Sequence, residues 1–154
     1  MQSFWRWYES KYKLVLYVTT ILFLVQLVHL YWMTTDIVFY RLYGHMFFKV
    51  SSFWQVLIAF ADYTEIPAII TASMFYLHQM RIRFNWKSFV FLLLINSQWL
   101  HLFWITDEVI YMQFAGTALV AIPLWLSWFA IAIDYLEIPV MIDTTFRSIK
   151  MLRK

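Results

Sequence analysis

The chain has no cysteine, two glycines and three prolines in 154 residues, and only 14% of its residues are charged. Without thiols there can be no disulfide, no thiolate metal site and no cysteine nucleophile, so any metal must be held by His and carboxylate ligands. The same absence leaves the redox compartment open. The net charge of +3 is small, and the basic residues interleave with apolar runs instead of forming a continuous face, which argues against nucleic acid as a partner. Apolar residues dominate instead, at 63% hydrophobic and 22% aromatic. That composition is remote from the average soluble domain and predicts one all-α integral membrane domain over 1–154.

Four apolar segments are long enough to cross a bilayer, which takes about 20 helical residues. They lie at about 14–32, 53–76, 89–104 and 118–142. Lys and Arg divide between two sides: Arg6, Lys11, Lys13, Arg81, Arg83, Lys87, Arg147, Lys150, Arg153 and Lys154 against Arg41 and Lys49. This asymmetry predicts that both termini are cytoplasmic. The aromatic and basic start, Phe4-Trp5-Arg6-Trp7-Tyr8, lacks a small-residue cleavage site after the first apolar run, so a retained first helix is expected and a signal peptide is not.

The halves of the chain repeat at a spacing of 72 residues. Gln26-Leu-Val-His29-Leu-Tyr-Trp32-Met-Thr34 returns as Gln98-Trp-Leu-His101-Leu-Phe-Trp104-Ile-Thr106, and Asp62-Tyr63-Thr64-Glu65-Ile66-Pro67 returns as Asp134-Tyr135-Leu136-Glu137-Ile138-Pro139. Gly44 and Gly116 share the spacing, and eleven of 42 positions are identical between 26–67 and 98–139. With two spans in each repeat, at about 14–80 and 86–152, both hairpins enter from the same side. That is a parallel repeat with a pseudo-two-fold axis along the membrane normal, and a four-helix bundle is its simplest architecture.

Residues equally far from a hairpin turn lie at equal depth. About Gly44, Gln26 and Asp62 are each 18 positions away, His29 is 15 and Glu65 is 21. At 1.5 Å rise per residue these four fall within about 9 Å of depth. Counting from Gly116 groups Gln98, His101, Asp134 and Glu137 in the same way. His29 lies 15 residues beyond Leu14, about 22 Å into a core of about 30 Å, which predicts a polar layer in the outer half of the bilayer. Pro67 and Pro139 donate no hydrogen bond four residues back, which frees the carbonyls of Tyr63 and Tyr135 or simply kinks the helix.

Burying four carboxylates costs several kcal/mol each unless they are paired or protonated, and the sequence places no Lys or Arg in the layer. A metal answers this: His29, Asp62, Glu65, His101, Asp134 and Glu137 resemble the ligand set of di-metal carboxylate bundles, although the Glu-x-x-His spacing of those bundles is absent. Iron, manganese and zinc all suit imidazole plus carboxylate. A bis-His haem between His29 and His101 explains none of the acids and is disfavoured. The competing readings are a hydrogen-bonded polar core contributing about 0.6–2 kcal/mol per group, and metal-free acid–base chemistry on a lipophilic substrate. In the latter, Trp32, Trp104, Tyr63 and Tyr135 line an aromatic wall. A proton or cation path is a further alternative, with Thr34, Thr106, Asp107 and Glu108 as an outer vestibule or a solvated loop.

One scattered set of residues resembles the four-helix sterol-isomerase and sigma-two-receptor superfamily. It comprises His29-Leu30 followed by an acid on the first helix, and Glu65 shortly before Pro67 on the second. Gln98, Phe103, Thr106 and Asp107-Glu108 on the third helix and Ile138-Pro139 on the fourth complete it. The resemblance implies a membrane-embedded His/Glu/Asp cavity that binds sterol-like or amine ligands. His45 and His78 have no counterpart at the 72-residue spacing and read as interfacial. The expected partners are the lipid bilayer, a lipophilic small molecule, and further copies of the chain or a larger membrane complex.

Overall fold

A computed structural model describes residues 2–45, 47, 51–117, 119, 120 and 123–153. All regular structure among them is helical. Helix α1 runs over Gln2–Trp32 and continues through a π-helical segment, Met33–Val38, into α2, Phe39–Tyr43. No Gly or Pro falls within these stretches to break them. The run ends at Gly44, whose φ of 74° is the left-handed conformation that only glycine adopts without strain, and whose amide caps the Tyr40 carbonyl at 2.9 Å. Helices α3, Ser52–Asp62, and α4, Glu65–Ile82, follow.

The second half is built in the same order. Helix α5, Trp86–Ile105, starts at Asn85, whose side chain accepts from the Lys87 amide at 3.0 Å. It passes through a π-helical segment, Thr106–Tyr111, into α6, Met112–Ala115, and stops at Gly116, with φ 77° and its amide on Met112. Helix α7, Leu124–Asp134, a 3-10 turn, Tyr135–Glu137, and α8, Ile138–Leu152, complete the chain.

Three helical stretches, Ser3–Tyr43, Trp86–Ile105 and Leu124–Leu152, are long and apolar enough to cross a membrane. The expected second segment, 53–76, is helical but broken. Pro67 has no amide to donate, so α4 restarts ahead of it and the proline falls in the first turn, where a missing donor costs nothing. Around the break the chain tightens to three-residue bonds: Tyr63 on Phe60, Thr64 on Ala61 and Ile66 on Tyr63, at 3.0–3.2 Å. The Tyr63 carbonyl expected to be free is therefore taken by Ile66, and that of Tyr135 by the Ile138 amide. Neither serves as a spare acceptor. The fourth expected segment, 118–142, begins partly outside the described residues and is interrupted in the same way at Tyr135–Glu137.

Helix α1 packs on α3, α4 and α8, and α5 packs on α4, α7 and α8, so four helical columns close a ring. Its outside is apolar, with Ile21 61%, Leu93 55% and Phe129 54% exposed. Its inside mixes an apolar core around Phe23, Met33, Phe75 and Ile105 with buried polar groups. Thr20 on α1 meets Ser148 on α8 at 2.7 Å, and Thr19 meets Thr71 on α4 at 2.7 Å. At one end, Asp143 of α8 gathers Lys87 at 2.6 Å, Arg147 at 2.7 Å and the Tyr76 hydroxyl at 3.1 Å. Replacing Thr20 with Val keeps its shape but orphans the buried Ser148 hydroxyl. This should destabilise the protein by about 1 kcal/mol, read as a lowered unfolding midpoint in detergent; an unchanged midpoint contradicts the contact.

Candidate metal centre

Two distortions of the helices build the site. The first lies one turn beyond each histidine, where Thr34 donates its hydroxyl to the Leu30 carbonyl at 2.7 Å and Thr106 to Leu102 at 2.6 Å. A side chain that occupies the carbonyl four residues back competes with the backbone amide for it, and the chain widens to π-helical winding at these points. The second is the break before each proline. There Gln26 donates to the Ala61 carbonyl at 3.2 Å and to the Thr64 hydroxyl at 3.0 Å, and Gln98 donates to the carbonyls of Ile133 at 2.9 Å and Asp134 at 3.3 Å. Each glutamine thus bonds backbone carbonyls at the break, and so ties its own helix to the segment carrying the acids.

The residues brought together are His29 and His101 from α1 and α5, and Asp62 and Asp134 from the ends of α3 and α7. All four are 0–2% exposed. His29 Nδ1 lies 2.5 Å from Asp62 Oδ1, and its Nε2 lies 3.6 Å from Asp134 Oδ2. His101 Nε2 lies 3.6 Å from Asp134 Oδ1 and 3.9 Å from Asp62 Oδ2. Each aspartate therefore turns one oxygen to each histidine. The two rings stand nearly edge to face with centroids 5.5 Å apart.

These approaches are ion-pair contacts. His29 Nδ1 and Nε2, both oxygens of Asp62, His101 Nε2 and Asp134 Oδ2 are buried without a hydrogen-bonding partner among the described residues. Ligand atoms of His29, Asp62 and His101 all lie within 4.8 Å of one another, and this group could hold a metal ion. The Nδ1 of His101 sits 3.3 Å from the Ala130 carbonyl, which can only accept, so Nδ1 carries a proton, and Nε2 faces the aspartates.

Glu65 and Glu137 are buried at 2% and 1% exposure and also lack a partner, at Oε1 and Oε2 respectively. Glu65 is within charge–charge range of Glu137, Asp134 and Asp62, and Glu137 of both aspartates. The positions 14–40, 50–80 and 88–146 contain no Lys or Arg. The described lysine and arginine ion pairs are instead made to Asp143.

Other expected residues have different surroundings. Tyr63 and Tyr135 direct their hydroxyls across the ring, Tyr63 to Thr106 at 2.8 Å and Tyr135 to Thr34 at 2.7 Å, so each half clasps the other. Trp32 and Trp104 lie 5.6 Å from His29 and His101 respectively, and Trp32 donates to Asp36 at 3.1 Å. Asp107 is neither vestibule nor solvated loop. It is 2% exposed, and its oxygens accept from the amides of Leu119 and Val120 at 2.7 and 3.1 Å. The side chain of Glu108 lies outside the described residues. His78 is buried among Trp5, Tyr8 and Tyr12, whereas His45 is exposed beside Tyr43.

Gln98→Leu removes the donor from two buried carbonyls without changing side-chain size much. It should lower stability by about 1–3 kcal/mol, measured by thermal unfolding in detergent, and wild-type stability would mean that Gln98 does not hold the break. No family model matches this chain, and no curated protein or solved structure matches it, so the chemistry of the centre rests on its own residues.

Proposed function

We propose that the chain is a four-span membrane protein of two tandem hairpins, related by a pseudo-two-fold axis along the membrane normal, that holds a transition-metal ion inside the bilayer. Support for the symmetry comes from paired contacts at the 72-residue spacing. Gln26 and Gln98 close equivalent breaks, and Thr34–Tyr135 and Tyr63–Thr106 are the same bond exchanged between halves. Support for membrane insertion comes from the three long apolar stretches and the apolar exterior around a polar interior. The expected side for both termini is the cytoplasm, by the distribution of Lys and Arg.

The observation that carries the metal reading is the convergence of buried, unpartnered donors from His29, His101, Asp62 and Asp134. Ligand atoms about 2.0–2.2 Å from a tetrahedral ion stand roughly 3.3–3.6 Å apart. The separations of 3.6, 3.6 and 3.9 Å between the histidine Nε2 atoms and the aspartate oxygens need contract only slightly to meet that. In this arrangement His29 and His101 bind through Nε2, the Ala130 carbonyl orients one ring and the Asp62 carboxylate the other. A bound cation supplies the positive charge that the sequence withholds from this layer. Iron, manganese and zinc are the candidates by ligand type.

A lipophilic substrate is favoured by a groove of about 310 Å³ between α1 and α8. Phe23, Leu27, Ile138, Met141 and Ile142 line it. The groove lies on the outer, apolar face, where Leu27 and Ile142 are exposed, and an isoprenoid or sterol-like molecule would reach it from lipid.

Two outcomes test this reading. Gently purified protein should carry stoichiometric transition metal by elemental analysis, and His29→Ala combined with His101→Ala should lose at least nine-tenths of it while Thr20→Val retains it. Protein purified without chelators that contains no metal, and takes up none when iron, manganese or zinc is supplied, removes the metal reading. Native mass spectrometry should find an apolar small molecule on the wild type that is displaced in Leu27→Trp; if neither protein carries one, the groove is not a substrate site.

A further inference from the structure

Resting on the membrane reading above but not on the metal, we infer that the end of the bundle carrying both termini binds the phosphate of an anionic phospholipid. The place is a hollow of about 150 Å³ between α1 and α8, lined by Tyr12, Arg147, Lys150 and Met151. It is separate from the candidate metal centre. Arg147 is ten residues beyond Glu137, about 15 Å at the helical rise.

The guanidinium of Arg147 is fixed before any ligand arrives. Its Nε donates to Asp143 at 2.7 Å, and its central carbon lies 5.2 Å from the centre of the Phe75 ring. Asp143 is held in turn by Lys87 at 2.6 Å and the Tyr76 hydroxyl at 3.1 Å. The bond to Asp143 uses Nε alone, so the two terminal nitrogens, which make no hydrogen bond among the described residues, are left for the hollow. A rigid pair of N–H donors matches two oxygens of a phosphate. Lys150, three residues on, shares this face of α8 and makes no ion pair among the described residues. Tyr12, whose ring stacks on Phe75 with centroids 5.7 Å apart, brings a hydroxyl donor from α1. Asp143 serves two cations and so balances only one of them. Glu9 lines the adjoining hollow, with His78 and Gln79, and not this one. The hollow is therefore rich in donors and in uncompensated positive charge.

The surroundings make the source of the phosphate a lipid. Phe146 and Leu152 of α8, and Phe84 and Trp86 at the start of α5, are strongly exposed at the same end. Ten of the twelve Lys and Arg residues also lie there. Exposed apolar and aromatic side chains among basic ones mark a headgroup layer, and basic pockets between spans on the cytoplasmic side take anionic headgroups.

The test is native mass spectrometry of the full-length protein in detergent, titrated with phosphatidylglycerol and with phosphatidylcholine of the same acyl chains. Phosphatidylglycerol should bind about tenfold more tightly, and Arg147→Gln and Lys150→Gln should each weaken it about fivefold. Lys11→Gln, which removes an exposed charge at the same end but outside the hollow, should leave binding unchanged. Equal binding of the two lipids, or equal losses in the Lys11 and Lys150 variants, overturns the site in favour of diffuse charge attraction. Displacement of phosphatidylglycerol by an equal concentration of glycerol 1-phosphate overturns the lipid as its occupant. If Arg147→Gln does not fold because Asp143 loses a partner, Lys150→Gln decides the matter. A chain that binds neither lipid and stays soluble without detergent overturns the membrane reading itself.

Discussion

Everything distinctive about this chain follows from placing acids where nothing in the sequence neutralises them. In water Asp62, Asp134, Glu65 and Glu137 would be solvated at little cost. Enclosed by four helical columns whose outer faces are apolar, they have neither solvent nor a Lys or Arg at positions 14–40, 50–80 or 88–146. The two histidines are the only basic side chains that reach them among the described ion pairs, and each aspartate turns one oxygen to each histidine. Such an arrangement is stable only with protons or cations added, and its paired geometry suits cations.

The backbone is bent to serve this layer. A straight α-helix would carry Asp62 and Glu65 on one continuous turn. The proline at position 67 instead forces a restart, bridged by three-residue bonds. Gln26 and Gln98 bond carbonyls at the breaks and so set the height of α1 and α5 against the acid-bearing segments. Thr34 and Thr106 then widen the helices just beyond His29 and His101 and receive the hydroxyls of Tyr135 and Tyr63 from the opposite half. Because the same devices occur in both halves, the histidines and aspartates arrive in pairs around a common centre.

Much of this was legible in the sequence because period and spacing are geometric. The 72-residue spacing and the hairpin depth count grouped Gln26, His29, Asp62 and Glu65 with their counterparts, and the structure gathers the histidines and aspartates into one cluster. What was not legible depends on partners far away in sequence. The glutamines read as members of a polar layer, but their donors go to the backbone at the helix breaks. Tyr63 and Tyr135 read as an aromatic wall, yet their hydroxyls join the halves. Asp107 and His78 look superficial by position in the chain and are buried, one by loop amides and the other by three aromatic rings. The carbonyls of Tyr63 and Tyr135 were expected to be free because the proline rule counts only the bond to residue i+4. The three-residue bonds that replace it are a local adjustment that spacing does not reveal.

The central claim is that imidazole and carboxylate from both halves share a bound metal. X-ray absorption at the metal edge of the purified protein tests it most directly. The account predicts a first shell of nitrogen and oxygen only, with the outer-shell scattering of two imidazoles and no sulfur despite eight methionines in the chain. A sulfur-containing shell, or a nitrogen and oxygen shell without imidazole scattering, would contradict it.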